Sequence, residues 1–132
     1  MAYLLDHSPH VFCYARNYQL GFSVPYKYWD QEHPYEPDFL VRLNDEWESV
    51  LVLEVKGSHW ELLNQETPIK HEAAKRWRDA VNNLQGWNGK FARHWRFFVT
   101  RDVQTLDRDL ARIVTVPPGR EDDFAHPLAG SG

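Results

Sequence analysis

Asp38, Glu54 and Lys56 are the residues of this chain whose types and spacing best suit chemistry. Asp38 precedes the apolar run FLV. Glu54 and Lys56 lie at the end of the segment LVLEVK, whose other residues are apolar. Both runs have the composition of β-strands, in which side chains two positions apart share a face, so Glu54 and Lys56 point to one side. Charged groups at such positions are costly to bury without partners. A bound Mg²⁺ would offset that cost, because it prefers carboxylate oxygens and keeps several waters for a substrate phosphate.

These side chains suit the hydrolysis of a phosphodiester. That reaction needs an activated water, stabilisation of the phosphoryl charge and help for the leaving oxygen, and one or two Mg²⁺ ions can supply all three. Asp38 and Glu54 would hold the metal, and the backbone carbonyl of Val55 could join them. Lys56 could orient or deprotonate the water, or stabilise the charged transition state. The simpler alternative is a surface strand with a salt bridge between Glu54 and Lys56.

The pattern extends beyond these acids and resembles the PD-(D/E)xK nuclease superfamily. Pro37-Asp38 matches the first half of its motif and Glu54-Val55-Lys56 matches the second half. The longer string is similar to the C-terminal nuclease domain of the Res subunit of type III restriction enzymes and of related helicase–nuclease proteins. Over about residues 5 to 100, the further matching positions are the segment VFCYARNYQLGFSVPY and the helix residues Lys70, Ala73, Ala74, Trp77, Val81 and Asn82.

The resemblance implies a Mg²⁺-dependent deoxyribonuclease, with Mn²⁺ able to substitute. It also implies three kinds of partner: DNA, a helicase-like motor or modification subunit, and a second copy of the chain for cutting both strands. The superfamily often carries an accessory lysine on the helix after the motif, a place that Lys70 occupies here, and an acid on the first helix, for which Asp6 is the candidate. The alternative is a catalytically inactive domain of the same fold that binds nucleic acid or assembles with proteins.

Hydrophobic periodicity and turn residues predict the elements that position the motif. They are a helix over 3–16, a meander of strands over 19–29, 35–43 and 48–56, a helix from Thr67 to about Leu84, a strand over 91–100 and a short final helix to Ile113. The helix between the last two strands makes them parallel. The expected fold is therefore α/β in the order α-β-β-β-α-β, with a mixed four-stranded sheet flanked by helices. The resemblance implies that residues 1–113 form one nuclease domain, and we expect 114–132, rich in proline and glycine, to form a flexible tail.

Composition limits the remaining possibilities. A chain of 132 residues, 42% of them hydrophobic, suits one domain. A single cysteine, Cys13, excludes an internal disulfide, and the sequence shows neither a signal peptide nor an apolar run of about 20 residues that could span a bilayer, so we expect a cytoplasmic protein. The net charge of −4 argues against a stand-alone nucleic-acid binder and favours delivery to DNA by a partner.

Overall fold

The computed structural model describes residues 1–18, 20–56, 66–88 and 94–125. These residues form an α/β fold, as the sequence predicts. In chain order the elements are helix α1 (Ala2–His7), strands β1 (Val11–Arg16), β2 (Val24–Tyr28), β3 (Gln31–Tyr35), β4 (Phe39–Leu43) and β5 (Val50–Val55), helix α2 (Glu66–Asn88), strand β6 (Trp95–Thr100), helix α3 (Val103–Ile113) and the 3₁₀ helix η1 (Arg120–Phe124).

The main sheet is mixed and four-stranded, with the strand order β1-β4-β5-β6. Strand β4 runs antiparallel to β1 and β5, whereas β5 and β6 are parallel, as their connection through α2 predicts. These directions bring the carboxyl ends of β1, β5 and β6 to the same edge of the sheet as the amino end of β4. We call this edge the motif edge, because Asp38, Glu54 and Lys56 all lie there.

The first half of the chain departs from the predicted elements. Only Ala2–His7 of the expected helix over 3–16 is helical, while Val11–Arg16 is a strand that pairs with β4. Pro9 follows the helix, and the β-branched and aromatic residues after it favour the extended state. The expected strand over 19–29 is also wrong in extent, since β2 begins at Val24 and pairs with β3 in a separate two-stranded hairpin.

A tight turn joins the two strands of this hairpin. Trp29 and Asp30 form the turn, with φ angles of 55° and 61°. Two successive positive φ values define the type I′ turn that suits the twist of antiparallel strands. The sequence lacks the usual signal for this turn, because asparagine and glycine, which adopt positive φ most easily, are absent from it.

Each face of the main sheet carries its own hydrophobic cluster. Helices α1 and α3 cover one face, where the buried residues are Leu5, Phe39, Val41, Leu43, Leu51, Leu53, Phe98, Leu106, Leu110 and Ile113. Helix α2 and the hairpin cover the other face, where the buried residues are Val24, Tyr26, Tyr35, Val52, Ala73, Ala74 and Phe97. The hairpin is therefore packed into the domain, and its last residue, Tyr35, enters the core beneath the motif edge.

Residues 114–125 belong to the domain, whereas the sequence prediction assigned 114–132 to a flexible tail. The physical reason is a set of buried ion pairs around Glu121 in η1, whose side chain is 0% exposed. Its carboxylate accepts hydrogen bonds from Arg78 of α2 and Arg96 of β6, at 3.0 and 3.2 Å. We call this cluster, together with Asp45 and Asp122, the Glu121 network. Residues 126–132 lie outside the described part of the chain.

Candidate active site

Strand pairing brings the two motif acids together at the motif edge. Phe39 pairs with Leu53, so Asp38 and Glu54, the next residues outward, lie opposite each other on β4 and β5. The backbone N–H of Val55 donates to Oδ2 of Asp38 at 2.8 Å, and the carbonyl of Asp38 accepts from the N–H of Asn17 at 2.9 Å. Asp38 is thereby held between β1 and β5, with its residue surface exposed to solvent.

Glu54 is the buried member of the acid pair, with 5% of its surface exposed. Its Oε2 atom accepts a hydrogen bond from the hydroxyl of Tyr35, and Nζ of Lys56 lies 4.0 Å from the same oxygen. Burial and the neighbouring carboxyl of Asp38 raise the pKa of Glu54 to about 8, against the lowering effects of Tyr35 and Lys56. We therefore expect Glu54 to hold a proton at neutral pH in the absence of a cation.

This donor set fits a hard divalent cation. A cation beside Asp38 and Glu54 would stabilise both carboxylates and release the proton that burial retains on Glu54. Among the described residues, no group of three or more His, Cys, Asp or Glu side chains is arranged to hold a metal ion, so the carboxylates at this position are the pair Asp38 and Glu54. Mg²⁺ requires few protein ligands because it keeps several waters, and the carbonyl of Val55 could be the third protein ligand.

An open cleft of about 390 Å³ borders the acid pair on the side of Asp38. Asp38 and Val55 line it on the side of the acid pair, and Arg16 and Asn17 line it at the end of β1. Glu36, which is exposed, also reaches this cleft and could serve as a further acid near the metal. The cleft therefore leaves room for a ligand next to Asp38.

The two remaining sequence candidates, Lys70 and Asp6, have their described contacts with other residues. Lys70 lies on α2 with Nζ 5.9 Å from the ring centre of Tyr26, so its described contact is with the hairpin, and its accessory catalytic role stays a prediction. Asp6 accepts a hydrogen bond from the hydroxyl of Tyr14 at 2.9 Å. No contact of Asp6 with the acid pair occurs among the described residues.

Sequence reasoning missed two residues beneath the site. Tyr35 is 3% exposed, and its hydroxyl orients Glu54. His71 of α2 lies against Tyr35, with ring centres 6.3 Å apart, and its Nε2 atom is buried with no hydrogen-bond partner within the described residues. Burial, followed by the charges of Lys56 and other cations, lowers the pKa of His71 to about 4. Neither residue belongs to a short motif, and only the packing of the hairpin and α2 brings them here.

The chain was compared with known protein families, curated proteins and solved structures. No protein-family model, curated protein or solved structure matches the chain. None of the described helices combines the length and the apolar character needed to cross a bilayer.

The raised pKa of Glu54 predicts that the metal-free protein loses stability as pH rises. Between its ordinary pKa of 4.5 and the folded value of about 8, the folded state holds a proton that the unfolded state has released. The stabilisation is fully present below the lower value and is lost as pH rises through the upper one. His71 acts at lower pH, because its lowered pKa destabilises the fold only below about pH 6.5. We expect a loss of about 2 kcal/mol between about pH 6.5 and pH 8.5.

Glu54→Gln should remove this dependence, because a neutral amide has no proton to lose. Urea unfolding in EDTA at about pH 6.5 and pH 8.5 measures the change in the free energy of unfolding. Glu32→Gln, which alters an exposed acid of β3, is the control and should show the same change with pH as the wild type. Addition of Mg²⁺ at the higher pH should restore stability to the wild type and leave Glu54→Gln unchanged. Equal pH slopes for the wild type and Glu54→Gln would show that Glu54 is ionised in the metal-free fold.

Proposed function

We propose that this chain is a metal-dependent endonuclease domain that hydrolyses phosphodiester bonds of DNA. The observation that carries the proposal is the pairing of Asp38 with buried Glu54, with Lys56 Nζ 4.0 Å from the Glu54 carboxylate, beside an open cleft. Buried acids in such a pair have a perturbed pKa, which is typical of functional sites. Burial and Asp38 raise the pKa of Glu54, although Lys56 lowers it.

The order of elements around the main sheet gives further support. If the hairpin β2–β3 is treated as an insertion, the chain runs α1, β1, β4, β5, α2, β6, which is the α-β-β-β-α-β order expected for a PD-(D/E)xK core. The acids occupy adjacent strands of that sheet, as the motif requires. We therefore propose that the domain belongs to the PD-(D/E)xK superfamily and resembles the nuclease module of type III restriction systems.

The residues of the chain divide the chemistry between them. A bound Mg²⁺ or Mn²⁺ would activate water and withdraw charge from the phosphoryl oxygens. Asp38, Glu54 and the carbonyl of Val55 would hold the ion, while Tyr35 fixes one oxygen of Glu54 and so limits the directions that the carboxylate can take. The ammonium of Lys56 is placed to orient the attacking water or to stabilise the developing negative charge.

Charge supports a function within a larger assembly. The chain carries a net charge of −4, which repels DNA at long range, so we propose that a helicase-like motor or modification subunit delivers the substrate. Double-strand cleavage by one site is simplest when two copies of the chain pair. Delivery by a partner and pairing of two copies are both expected of the cleavage module of a restriction or helicase–nuclease system.

Metal titration and plasmid nicking test the proposal together. We expect the wild type to bind Mn²⁺ in calorimetry and to nick supercoiled plasmid with Mg²⁺ or Mn²⁺ but not with EDTA. A folded Asp38→Asn/Glu54→Gln double variant should do neither, because both carboxylates are lost, whereas Asp123→Asn in η1 should behave as the wild type.

The two measurements separate the alternatives. Wild-type protein that binds no Mn²⁺ at millimolar concentration, while remaining folded, would overturn the metal site. Metal binding with no nicking across a range of protein concentrations, linear and supercoiled DNA, and added motor subunit would instead favour the catalytically inactive alternative.

A further inference from the structure

Cations flank the acid pair along the motif edge. Arg16 ends β1 and pairs with Phe39, so its side chain lies on the Phe39 face of the sheet, where it lines the same cleft as Asp38. At the other side, Val55 pairs with Thr100, and the N–H of Lys56 donates to the carbonyl of Thr100 at 2.8 Å, which places Arg101 next to Lys56. Following the strand order β1-β4-β5-β6, the edge therefore presents an arginine, the two acids with their lysine, and a second arginine.

Both arginines line open clefts. Arg16 is exposed and borders the cleft of about 390 Å³ beside Asp38. Arg101 is half-buried and borders a second cleft of about 160 Å³ with His71 and Lys75. Substrate groups lying over the motif edge would therefore meet a guanidinium on each side of the metal ligands.

The charges of these two arginines are not used within the described fold. Among the described residues, neither Arg16 nor Arg101 has a carboxylate within 4.0 Å, and the described contact of Arg16 is with the ring of Phe39. By contrast, Arg78 and Arg96 are neutralised inside the Glu121 network, and Arg120 pairs with Asp123 at 3.1 Å. Lys27, Lys70, Arg76, Arg108 and Arg112 likewise have no carboxylate within 4.0 Å among the described residues, but Arg16 and Arg101 are the two that stand beside the acid pair and Lys56 at the motif edge.

We infer that one strand of a DNA duplex crosses the motif edge perpendicular to the β-strands, with Arg16 and Arg101 binding phosphates about two nucleotides to either side of the one that is cut. The inference rests on the proposed function and specifies how its substrate is held. Adjacent strands lie about 4.8 Å apart, so the two arginine positions are about 14 Å apart, with the acid pair between them. One strand of duplex DNA rises about 3.4 Å per nucleotide, so this distance spans about four nucleotides.

The acidic residues near the two clefts limit the affinity without cancelling the arginines. Asp122 accepts both of its hydrogen bonds from Arg78, at 2.8 and 2.9 Å, and Glu72 pairs with Lys75 at 3.6 Å. Glu36 in the Arg16 cleft has no ion pair within the described residues and stands next to the metal ligands. We therefore expect weak binding of DNA, which increases when a divalent cation neutralises the acid pair.

Salt-dependent binding tests this placement without requiring cleavage. Fluorescence anisotropy of a labelled 20-base-pair duplex in Ca²⁺ gives the association constant over a series of salt concentrations, for the wild type, Arg16→Ala, Arg101→Ala and the double variant. Each lost phosphate contact should weaken binding by about 3- to 10-fold and reduce the slope of log K against log salt by about 0.9. The double variant should lose about 1.8 from that slope.

Arg120→Ala is the matched control, since it removes the same charge from an exposed ion pair in η1. Slopes for Arg16→Ala and Arg101→Ala that equal the slope of Arg120→Ala would overturn the inference, as would a wild type with no detectable binding at low salt. Calorimetry with Mn²⁺ separates this result from a failure of the proposed function. Both arginine variants should bind Mn²⁺ as the wild type does. If the wild type itself binds no Mn²⁺, the proposed metal site fails, whatever the salt slopes show.

Discussion

Lys56→Met is expected to lower the rate of DNA cleavage by about 10²- to 10⁴-fold while leaving the fold and metal binding nearly intact. The ammonium of Lys56 lies 4.0 Å from Glu54, so we expect it to reach a water or phosphoryl oxygen bound at the acid pair. Lysine is not a ligand of Mg²⁺, so its loss removes the action on water or on the transition state rather than the metal. Methionine keeps most of the half-buried side-chain stem, which limits the loss of packing.

The measurement is single-turnover cleavage at about pH 8.5 with saturating Mg²⁺, beside Mn²⁺ calorimetry at the same pH. The elevated pH matters because Lys56 lowers the pKa of Glu54, so the variant needs a higher pH to ionise that acid. Lys27→Ala, an exposed lysine of β2, is the control and should cut at the wild-type rate. Lys70→Ala in the same series tests the accessory role of Lys70. Cleavage by Lys56→Met within threefold of the wild type would remove Lys56 from the catalytic residues.

The sequence was most informative about the segments that carry the motif. The runs around Asp38 and Glu54 are apolar and strand-like, and the structure confirms both as adjacent strands of a mixed sheet. The parallel pairing of β5 and β6 also follows from the sequence, because a helix between two neighbouring strands reverses the chain twice. Local pattern and connection length were sufficient here, since no distant contact had to be known.

Strand β3 and the two-residue turn before it escaped prediction because their determinants are tertiary. Trp29 adopts positive φ, which is uncommon for a bulky residue, and packing of β2 against α2 stabilises the turn. The effect of the hairpin on the site could not be predicted from the sequence either. Tyr35 reaches Glu54 only because the hairpin returns the chain beneath the motif edge, 19 positions before its partner. A motif scan detects the acids, but not the hydroxyl that orients one of them.

Residues 114–125 also depend on distant contacts that the sequence pattern does not reveal. Proline and glycine at Pro117, Pro118 and Gly119, followed by four charged residues, have the composition of a solvated tail. The partners that bury Glu121 are Arg96 and Arg78, which lie 25 and 43 positions earlier in the chain. Charge complementarity over such distances leaves no periodic signal, so composition predicted exposure where the fold has a buried ion network.

Glu121→Ala is expected to destabilise the domain by about 3–5 kcal/mol, which is a large part of the stability of a small protein. The carboxylate accepts four hydrogen bonds: from Arg78 at 3.0 Å, from Arg96 at 3.2 Å, and from the backbone N–H groups of Phe97 and Gly119 at 2.9 and 2.7 Å. Its removal leaves two buried guanidinium groups with less compensation and two amides without an acceptor. Breaking one member of a buried ion pair costs more than the pair contributes, because the remaining charge stays desolvated.

Urea unfolding near neutral pH measures this loss, with Asp123→Ala as the control in the same 3₁₀ helix. Asp123 belongs to an exposed ion pair with Arg120, so its removal should change the free energy of unfolding by less than about 1 kcal/mol. Glu121→Gln should lie between the two, because the amide keeps acceptor capacity but loses the charge that offsets Arg96. If Glu121→Ala proves as stable as Asp123→Ala, residues 114–125 do not hold the sheet and α2 together. In that case Arg78 and Arg96 are compensated by Asp122, Asp45 and water, and the domain ends near Ile113 as composition suggests.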